Sequence, residues 1–259
     1  MIVRNFGECT ALVTGSSNSI GFEIAAQLAE AGVPRIMLNG RNQERGEQAC
    51  ARLKERAPNV DVRFISADPT IQAEARRLVD STVEAFGSLD ILVTSVAGHL
   101  TPRPFHEIPY EGIDHLINAH LNSVLYTCRA ALPHMMAREG GVILTMSSDA
   151  AKIATPGEVV VGAAKAAVVM FARTLALEAS RHGIRVHAIT PSIVKDTAGY
   201  DRQMANEFSR KLFQKAESRA RLGVVSPKDI APLAVFLASP AAAKMTGQAI
   251  SVNGGISAA

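Results

Sequence analysis

The feature that most constrains the fold is an alternation of short apolar runs with longer segments of helical periodicity, repeated along the whole chain. The apolar runs span residues 11–15, 35–40, 60–68, 90–98, 141–148, 184–192 and 249–255. Between them, apolar residues recur about every 3.6 positions in residues 20–31, 43–57, 71–86, 112–137, 162–182 and 227–239. Several runs are apolar without interruption, which is typical of strands covered on both faces. The pattern predicts a doubly wound α/β fold, a parallel sheet with helices on both of its faces.

The composition fits a folded chain and excludes several other classes. With 259 residues, 47% hydrophobic and 20% charged, the chain is neither disordered nor a coiled coil. No linker, repeat or low-complexity tract divides it, so we expect a single domain over residues 1–259. The formal net charge of +3 is spread along the chain without a basic run, and we expect no nucleic-acid partner.

The cysteines and the N-terminus indicate the compartment. The three cysteines, Cys9, Cys50 and Cys128, lack metal-ligand spacing, and an odd number argues against a secreted disulfide framework. The first residues contain no apolar signal core, and no stretch reaches the roughly 18 consecutive apolar residues that span a bilayer. We therefore expect a cytoplasmic protein with neither a metal site nor a membrane partner.

A glycine-containing turn joins the first predicted strand to the first predicted helix. It reads Gly15-Ser16-Ser17-Asn18-Ser19-Ile20-Gly21. Such a turn presents backbone N–H groups to a phosphate at a helix N-terminus, although an ordinary tight turn has the same composition. Its place in the first strand–helix unit favours a dinucleotide site.

At this point the chain resembles the short-chain dehydrogenase/reductase family, in its ketoacyl-reductase-like group, over nearly its whole length. The family's Thr-Gly-x-x-x-Gly-x-Gly turn matches residues 14–21, with Ser19 in place of the middle glycine. Its Asn-Asn-Ala-Gly motif falls on Ser95-Val96-Ala97-Gly98. Further segments that match the family's sequence pattern lie at residues 89–93, 129–135, 183–186 and 247–255. The resemblance implies a Rossmann-type domain with a seven-stranded parallel sheet.

The resemblance also implies a nicotinamide cofactor. A carboxylate after the second strand would hold a ribose 2′-hydroxyl, but the chain has Asn39-Gly40-Arg41-Asn42 there, and Arg41 can neutralise a 2′-phosphate. This favours NADP(H); a solvated Arg41, with NAD(H) or no cofactor bound, is the alternative. Asp68 matches the family's adenine contact, or else is a turn residue before Pro69. The cofactor positions implied are Gly15, Ser17, Ser19, Ile20, Gly21, Arg41, Asp68, Ala97, Gly98, Lys165, Pro191 and Val194.

The catalytic positions match the family only in part. Its members use an asparagine, a serine, a tyrosine and a lysine, and the lysine lowers the pKa of the tyrosine, which transfers the proton. Ser148 and Lys165 are the matching serine and lysine. Valine occupies the tyrosine position, 161, and histidine the asparagine position, 120. Losing a general acid typically costs about 10²- to 10⁴-fold in rate.

Three hypotheses follow from these replacements. In the first, the protein is an NADP-dependent oxidoreductase in which another residue replaces the tyrosine as the acid. His120 is the best candidate, His99 and Tyr200 are others, and Glu158 is a weaker option; each histidine could instead be a hydrogen-bonded or solvated residue. In the second, it is a catalytically inactive subunit that assembles with an active paralogue. In the third, Ser148, Lys165 and His120 carry out non-redox, lyase-type chemistry.

Two further expectations concern the surface. Helices 112–137 and 162–182 are those that the family pairs in dimers, so we expect a homodimer, a homotetramer or a mixed oligomer. Candidates for that face, or else for the core, are Val159, Val160, Val168, Val169, Met170 and Phe171.

Residues 195–222 are expected to form a lid. The cations of this segment suit an acyl-thioester substrate, or else they belong to a solvated helix whose charge Glu207 and Glu217 neutralise. They are Arg202, Arg210, Lys211, Lys215, Arg219 and Arg221.

Overall fold

The computed structural model describes residues 3–98 and 100–259, and within them the predicted parallel sheet is present. Its strands are β1 (Thr10–Thr14), β2 (Arg35–Gly40), β3 (Asp61–Ser66), β4 (Ile91–Thr94), β5 (Gly141–Met146), β6 (Ile184–Pro191) and β7 (Ala249–Val252). All neighbours are parallel, in the order β3-β2-β1-β4-β5-β6-β7. The strand order reverses between β1 and β4, and this confirms the doubly wound, Rossmann-type fold class.

Helices connect the strands. They are α1 (Ser19–Glu30), α2 (Gln43–Arg56), α3 (Gln72–Phe86), α4 (Tyr110–Ile117), α5 (Ser123–Ala137), α6 (Val159–Ser180), α7 (Ala198–Ala205), α8 (Glu207–Glu217) and α9 (Pro227–Ala238). Six of the predicted segments correspond to α1, α2, α3, the α4–α5 pair, α6 and α9, with ends displaced by up to three residues. The segment at residues 195–222 folds into α7 and α8.

Two apolar cores lie on opposite faces of the sheet because successive strand side chains point to opposite sides. On one face, Val13 and Leu38 pack with Ile24 of α1 and Leu237 of α9. On the other face, Leu12 packs in a second cluster with α3, α5 and α6. The uninterrupted apolarity of the runs thus reflects burial on both sides.

A π-helix, Asn118–Asn122, joins α4 to α5 without a break in the helical path. Such wide turns are rare and often occur at functional sites. Asn118 and His120, both in this segment, line one cleft.

By length and composition α6 could cross a membrane, and it is alone in this among the helices of the described residues. However, α6 packs against β6, α4 and the π-helix, and it buries Lys165. These contacts are those of a core helix that is apolar because the sheet covers it.

Candidate functional site

A large cleft, of about 740 Å³, lies at the carboxyl ends of the strands. It follows the point where the strand order reverses, which is where doubly wound sheets bind ligands. The predicted residues that line it are Gly15, Ser17, Ser19, Ile20, Gly21, Arg41, Asp68, Ala97, Gly98, His120, Ser148, Glu158, Lys165, Pro191, Val194 and Tyr200. His99, the remaining candidate, lies outside the described residues.

The turn between β1 and α1 needs its glycines for close backbone contact. Gly15 has φ +61°, and a Cβ there would lie 2.5 Å from the carbonyl oxygen of Ser95. A Cβ on Gly21 would lie 2.6 Å from the carbonyl oxygen of Gly15. The two glycines therefore hold the turn against β4 and against the first turn of α1.

The N-terminus of α1 opens into the cleft without a side-chain cap. Asn18 is the capping residue, but its side chain makes no capping hydrogen bond. The first N–H groups of α1 have no partner within the helix, and the helix dipole adds positive potential there. This donor set fits the pyrophosphate of a dinucleotide.

Ser19 is strained where the family's turn has glycine. Its φ of +53° lies in the left-handed region, which costs an L-residue roughly 1–2 kcal/mol. The chain therefore keeps the glycine conformation with a serine in it, and the Ser19 side chain lines the cleft.

The end of the cleft beside β2 is cationic. Arg41 lies 3.6 Å from a carboxylate oxygen of Asp68, and Arg45 also lines the cleft. Asp68 also accepts hydrogen bonds from the backbone N–H and the hydroxyl of Thr70, as a turn residue does. No Asp or Glu stands at residues 39–42, so nothing there would repel a 2′-phosphate.

Two polar residues that sequence reasoning missed hold the ends of the first three strands together. The Ser16 hydroxyl donates to the carbonyl oxygen of Val13 and accepts the N–H of Asn39. The buried Asn39 amide donates to the carbonyl oxygens of Ile65 and Ala67. The available signal was a polar side chain at the end of a strand buried on both faces.

At the opposite end of the cleft lie Ser148 and Lys165. The ammonium group of Lys165 donates to the carbonyl oxygen of Met146 over 2.7 Å. Burial lowers the pKa of Lys165 to about 8. The hydroxyl oxygen of Ser148 accepts the N–H of Ala150 over 3.2 Å, which leaves its proton free to donate.

Val161 lines the cleft one helical turn before Lys165, where the resemblance puts a tyrosine. A valine side chain supplies neither a proton nor a hydrogen bond at this point. The other titratable groups of the cleft therefore decide where a proton could come from.

His120 is buried in the π-helix and faces Gly98. Its Nε2 accepts the N–H of Gly98 over 3.3 Å, and a Cβ on Gly98 would lie 2.9 Å from that atom. Burial, and then the positive charge of Lys165, lower the pKa of His120 to about 3. Its Nδ1 is buried and has no hydrogen-bond partner among the described residues. At neutral pH His120 is an uncharged imidazole whose Nε2 is already used.

Tyr200, on α7, is also engaged. Its hydroxyl donates to a carboxylate oxygen of Glu217 over 2.6 Å. This hydrogen bond, with burial, raises the pKa of Tyr200 to about 12. Tyr200 thus ties α7 to α8 and is a weaker acid than an ordinary tyrosine.

The remaining wall, beside α7 and α8, mixes apolar and polar groups. Leu100, Pro102 and Phe213 supply apolar surface, and the buried Oε1 of Gln203 has no partner among the described residues. Of the six cations expected at a lid, Arg202 lines the cleft and the other five do not. Lys211 pairs with Glu207, whereas Glu217 bonds Tyr200 instead of a cation.

A parallel, doubly wound sheet with a glycine turn at its switch point defines the class of Rossmann-type α/β proteins. Residues 15–257 match the family model described as enoyl-(acyl carrier protein) reductase. The chain belongs to the short-chain dehydrogenase/reductase family, in its ketoacyl-reductase-like group.

Similar proteins cover almost the full length. The 3-oxoacyl-[acyl-carrier-protein] reductase FabG of Staphylococcus aureus is 33% identical over 248 residues, 95% of this chain and 97% of that protein. FabG of Chlamydia trachomatis is 31% identical over 95% of this chain and 96% of its own. The solved short-chain dehydrogenase/reductase of Mycobacterium ulcerans is 28% identical, with a TM-score of 0.89, over 98% of this chain and 91% of that one.

Proposed function

We propose that the protein is an NADP(H)-dependent oxidoreductase that acts on a carbonyl or hydroxyl substrate through an atypical active site. One observation carries the proposal: a single cleft joins the open N-terminus of α1 to Ser148 and Lys165. The anion site at the N-terminus of α1 and the hydrogen-bonding side chains of Ser148 and Lys165 therefore lie in one continuous space. Residues 1–259 would act as a single cytoplasmic domain, with residues 195–222 as the lid.

The residues present fit a dinucleotide. The first turn of α1 would hold the pyrophosphate, and Arg41 and Arg45 would hold a 2′-phosphate. Ala97, Gly98, Pro191 and Val194 would contact the nicotinamide half, a set that lines one stretch of the cleft. When bound, the cofactor supplies or accepts the hydride.

The chain's own residues bind and orient the substrate oxygen. Ser148 donates its hydroxyl hydrogen to that oxygen and so holds the carbonyl at the nicotinamide end. The Lys165 ammonium also lines this cleft and would hold the ribose hydroxyls of the cofactor. A 3-oxoacyl thioester is the substrate class that the names of the similar Staphylococcus and Chlamydia reductases support.

The proposal is tested by titrating the purified protein with NADPH and with NADH while following nucleotide fluorescence. We expect saturation at micromolar NADPH and weaker binding of NADH. Arg41→Ala should weaken NADPH binding about tenfold and leave NADH binding unchanged, because it removes one of the two cations proposed to hold the 2′-phosphate, a group that NADH lacks. No saturation by either nucleotide at millimolar concentration contradicts the proposal.

A second candidate function is a catalytically inactive subunit that assembles with an active paralogue, as a homo-oligomer or a mixed one. Two observations favour it: Val161 cannot transfer a proton, and α6 exposes an apolar stripe that includes Val159, Met170 and Leu177. This candidate predicts a co-purifying relative with tyrosine at the position of Val161, and no nucleotide-dependent turnover by this chain alone.

A further inference from the structure

Glu158 stands directly before α6, one turn before Val161 and two turns before Lys165. Residues three and four apart lie on one face of a helix, and all three of these residues line the cleft. The carboxyl group of Glu158 therefore faces the same space as the position from which the tyrosine is missing.

The turn that carries Glu158 is fixed from three sides. The N–H of Arg103 donates to the carbonyl oxygen of Gly157, and the N–H of Glu158 donates to that of Thr155. A Cβ on Gly157 would lie 2.7 Å from the ring of Phe208, so α8 packs directly against this turn. The position of Glu158 in the cleft is thus built into the fold.

No described residue is a partner of the Glu158 carboxyl group. It is half-buried and makes no hydrogen bond or ion pair with any residue that the structure describes. It also borders a small cavity lined by Leu100, Leu116 and Val160. A carboxyl group that is desolvated without a compensating cation is held in its neutral form.

Among the residues that the structure describes, His120 and Tyr200 are the other candidates for proton transfer, and both already make hydrogen bonds. The Nε2 of His120 accepts from Gly98, and the hydroxyl of Tyr200 donates to Glu217. Burial raises the pKa of Glu158 to about 7, so this group is both protonated and able to release its proton near neutral pH. Within residues 3–98 and 100–259, the other ionisable side chains around this end of the cleft and the small cavity are Arg103, His115, His120, Lys165, Tyr200 and Arg202.

We propose that Glu158 is the proton donor of this site, in the place of the family's tyrosine. This inference rests on the proposed function. A hydride from the reduced nicotinamide dinucleotide forms the new C–H bond as the carbonyl π bond breaks. The carbonyl oxygen takes the Glu158 proton to give the alcohol. The dinucleotide leaves oxidised, and solvent water returns a proton to the carboxylate.

The experiment compares wild type, Glu158→Gln, Glu158→Asp and the control Glu111→Gln, an exposed glutamate on α4. NADPH binding is measured first, and then NADPH oxidation with acetoacetyl-coenzyme A as the probe. We expect equal NADPH binding throughout. We expect turnover to fall about 10²-fold or more in Glu158→Gln and less in Glu158→Asp, and to be unchanged in Glu111→Gln. In wild type, kcat/KM should fall above pH of about 7, and this limb should be absent from Glu158→Gln.

A readout without turnover comes from ¹³C-carboxyl NMR of glutamate-labelled protein, in which the Glu158 signal is assigned by its absence from Glu158→Gln. We expect it to titrate near pH 7 and to shift when acetoacetyl-coenzyme A is added with NADP⁺, a pair that cannot react. Val161→Tyr in the Glu158→Gln background should restore turnover, since it returns a phenol to the cleft.

The outcomes separate the two proposals. If no variant binds NADPH, the proposed function fails and this inference fails with it. If NADPH binds but Glu158→Gln keeps wild-type turnover, or the carboxyl signal titrates at an ordinary pH of 4–5, this inference alone is overturned. If NADPH binds and Val161→Tyr reduces the probe while wild type does not, the chain lacks a donor and the assignment of Glu158 is wrong.

Discussion

At the scale of single residues, the site combines retained geometry with altered chemistry. Gly15 and Gly21 keep the turn closed, and Ser148 and Lys165 stand together in the cleft. Ser19 has the backbone of a glycine and the side chain of a serine. Residue substitutions can therefore separate what the backbone does from what the side chains do.

Ser19→Gly should tighten NADPH binding about threefold to tenfold, because it removes a side chain from the place where backbone approaches the pyrophosphate. Nucleotide fluorescence measures the effect. Glu139→Gly is the matched control, since Glu139 has φ +54° but lies outside the cleft. It should leave the dissociation constant unchanged. Equal affinities of Ser19→Gly and wild type would show that this turn does not hold the nucleotide.

His120→Asn should reduce the loss of stability in acid. The folded pKa of His120 is about 3, below the unfolded value of about 6.5, so the unfolded state binds more protons between these values. This contribution is complete above pH of about 6.5 and is lost as pH falls through that window. His187, with a pKa of about 4, acts in the same direction, and Glu158, with a pKa of about 7, acts in the opposite one. The variant should therefore differ from wild type by the slope of one bound proton, about 1.4 kcal/mol per pH unit.

The measurement is urea unfolding of wild type and variant from pH 7 to pH 4. His106→Asn is the control, because the His106 side chain is 83% exposed. If the free energy of unfolding falls with pH as steeply in His120→Asn as in wild type, the assignment of His120 as a neutral, buried imidazole is wrong.

At the scale of secondary-structure elements, the parallel sheet is predictable because each strand is buried on both faces. The residues at which helices and strands end depend on tertiary contacts, which a hydrophobic pattern does not show. Arg185 on β6 is one example. Its guanidinium donates to the carbonyl oxygens of Leu237, Ala238, Ser239 and Ala242, and so closes the C-terminus of α9.

Arg185→Lys should lower the free energy of unfolding by about 2 kcal/mol or more, because an ammonium group cannot bond all these carbonyls and leaves buried acceptors unpaired. Urea unfolding measures it. Arg173→Lys, at an exposed position of α6, should stay within about 0.5 kcal/mol of wild type. A similar small loss in both variants would mean that water replaces the guanidinium at the end of α9.

At the scale of the whole molecule, α6 has two faces. Its inner face packs Val160, Val168 and Val169 into the core, so these three expected interface residues are buried. Its outer face leaves Val159 exposed, together with Met170 (58%) and Leu177 (77%). Met170 and Leu177 are seven residues apart and lie on one stripe, which is the face we expect to pair between subunits.

Met170→Glu with Leu177→Glu should convert a dimer or tetramer into smaller species, since two carboxylates would be buried in the interface. Light scattering coupled to gel filtration gives the molar mass of the wild-type and variant species. The control is Leu222→Glu, an 87% exposed leucine between α8 and α9. An unchanged mass for the double variant would place any subunit contact on another surface.

The apolar pattern and the motifs are enough to predict the sheet, the glycine turn and many of the residues around the cleft. Apolar continuity requires burial on both faces, and family motifs stand at the strand ends where a doubly wound sheet binds ligands. The sequence could not show that His120 accepts from Gly98, that Tyr200 donates to Glu217, or that Glu158 lines the cleft with no partner among the described residues. These properties depend on burial and on groups distant in sequence. Which titratable side chains can move a proton near neutral pH depends on how the folded chain desolvates them and which hydrogen-bond partners it gives them.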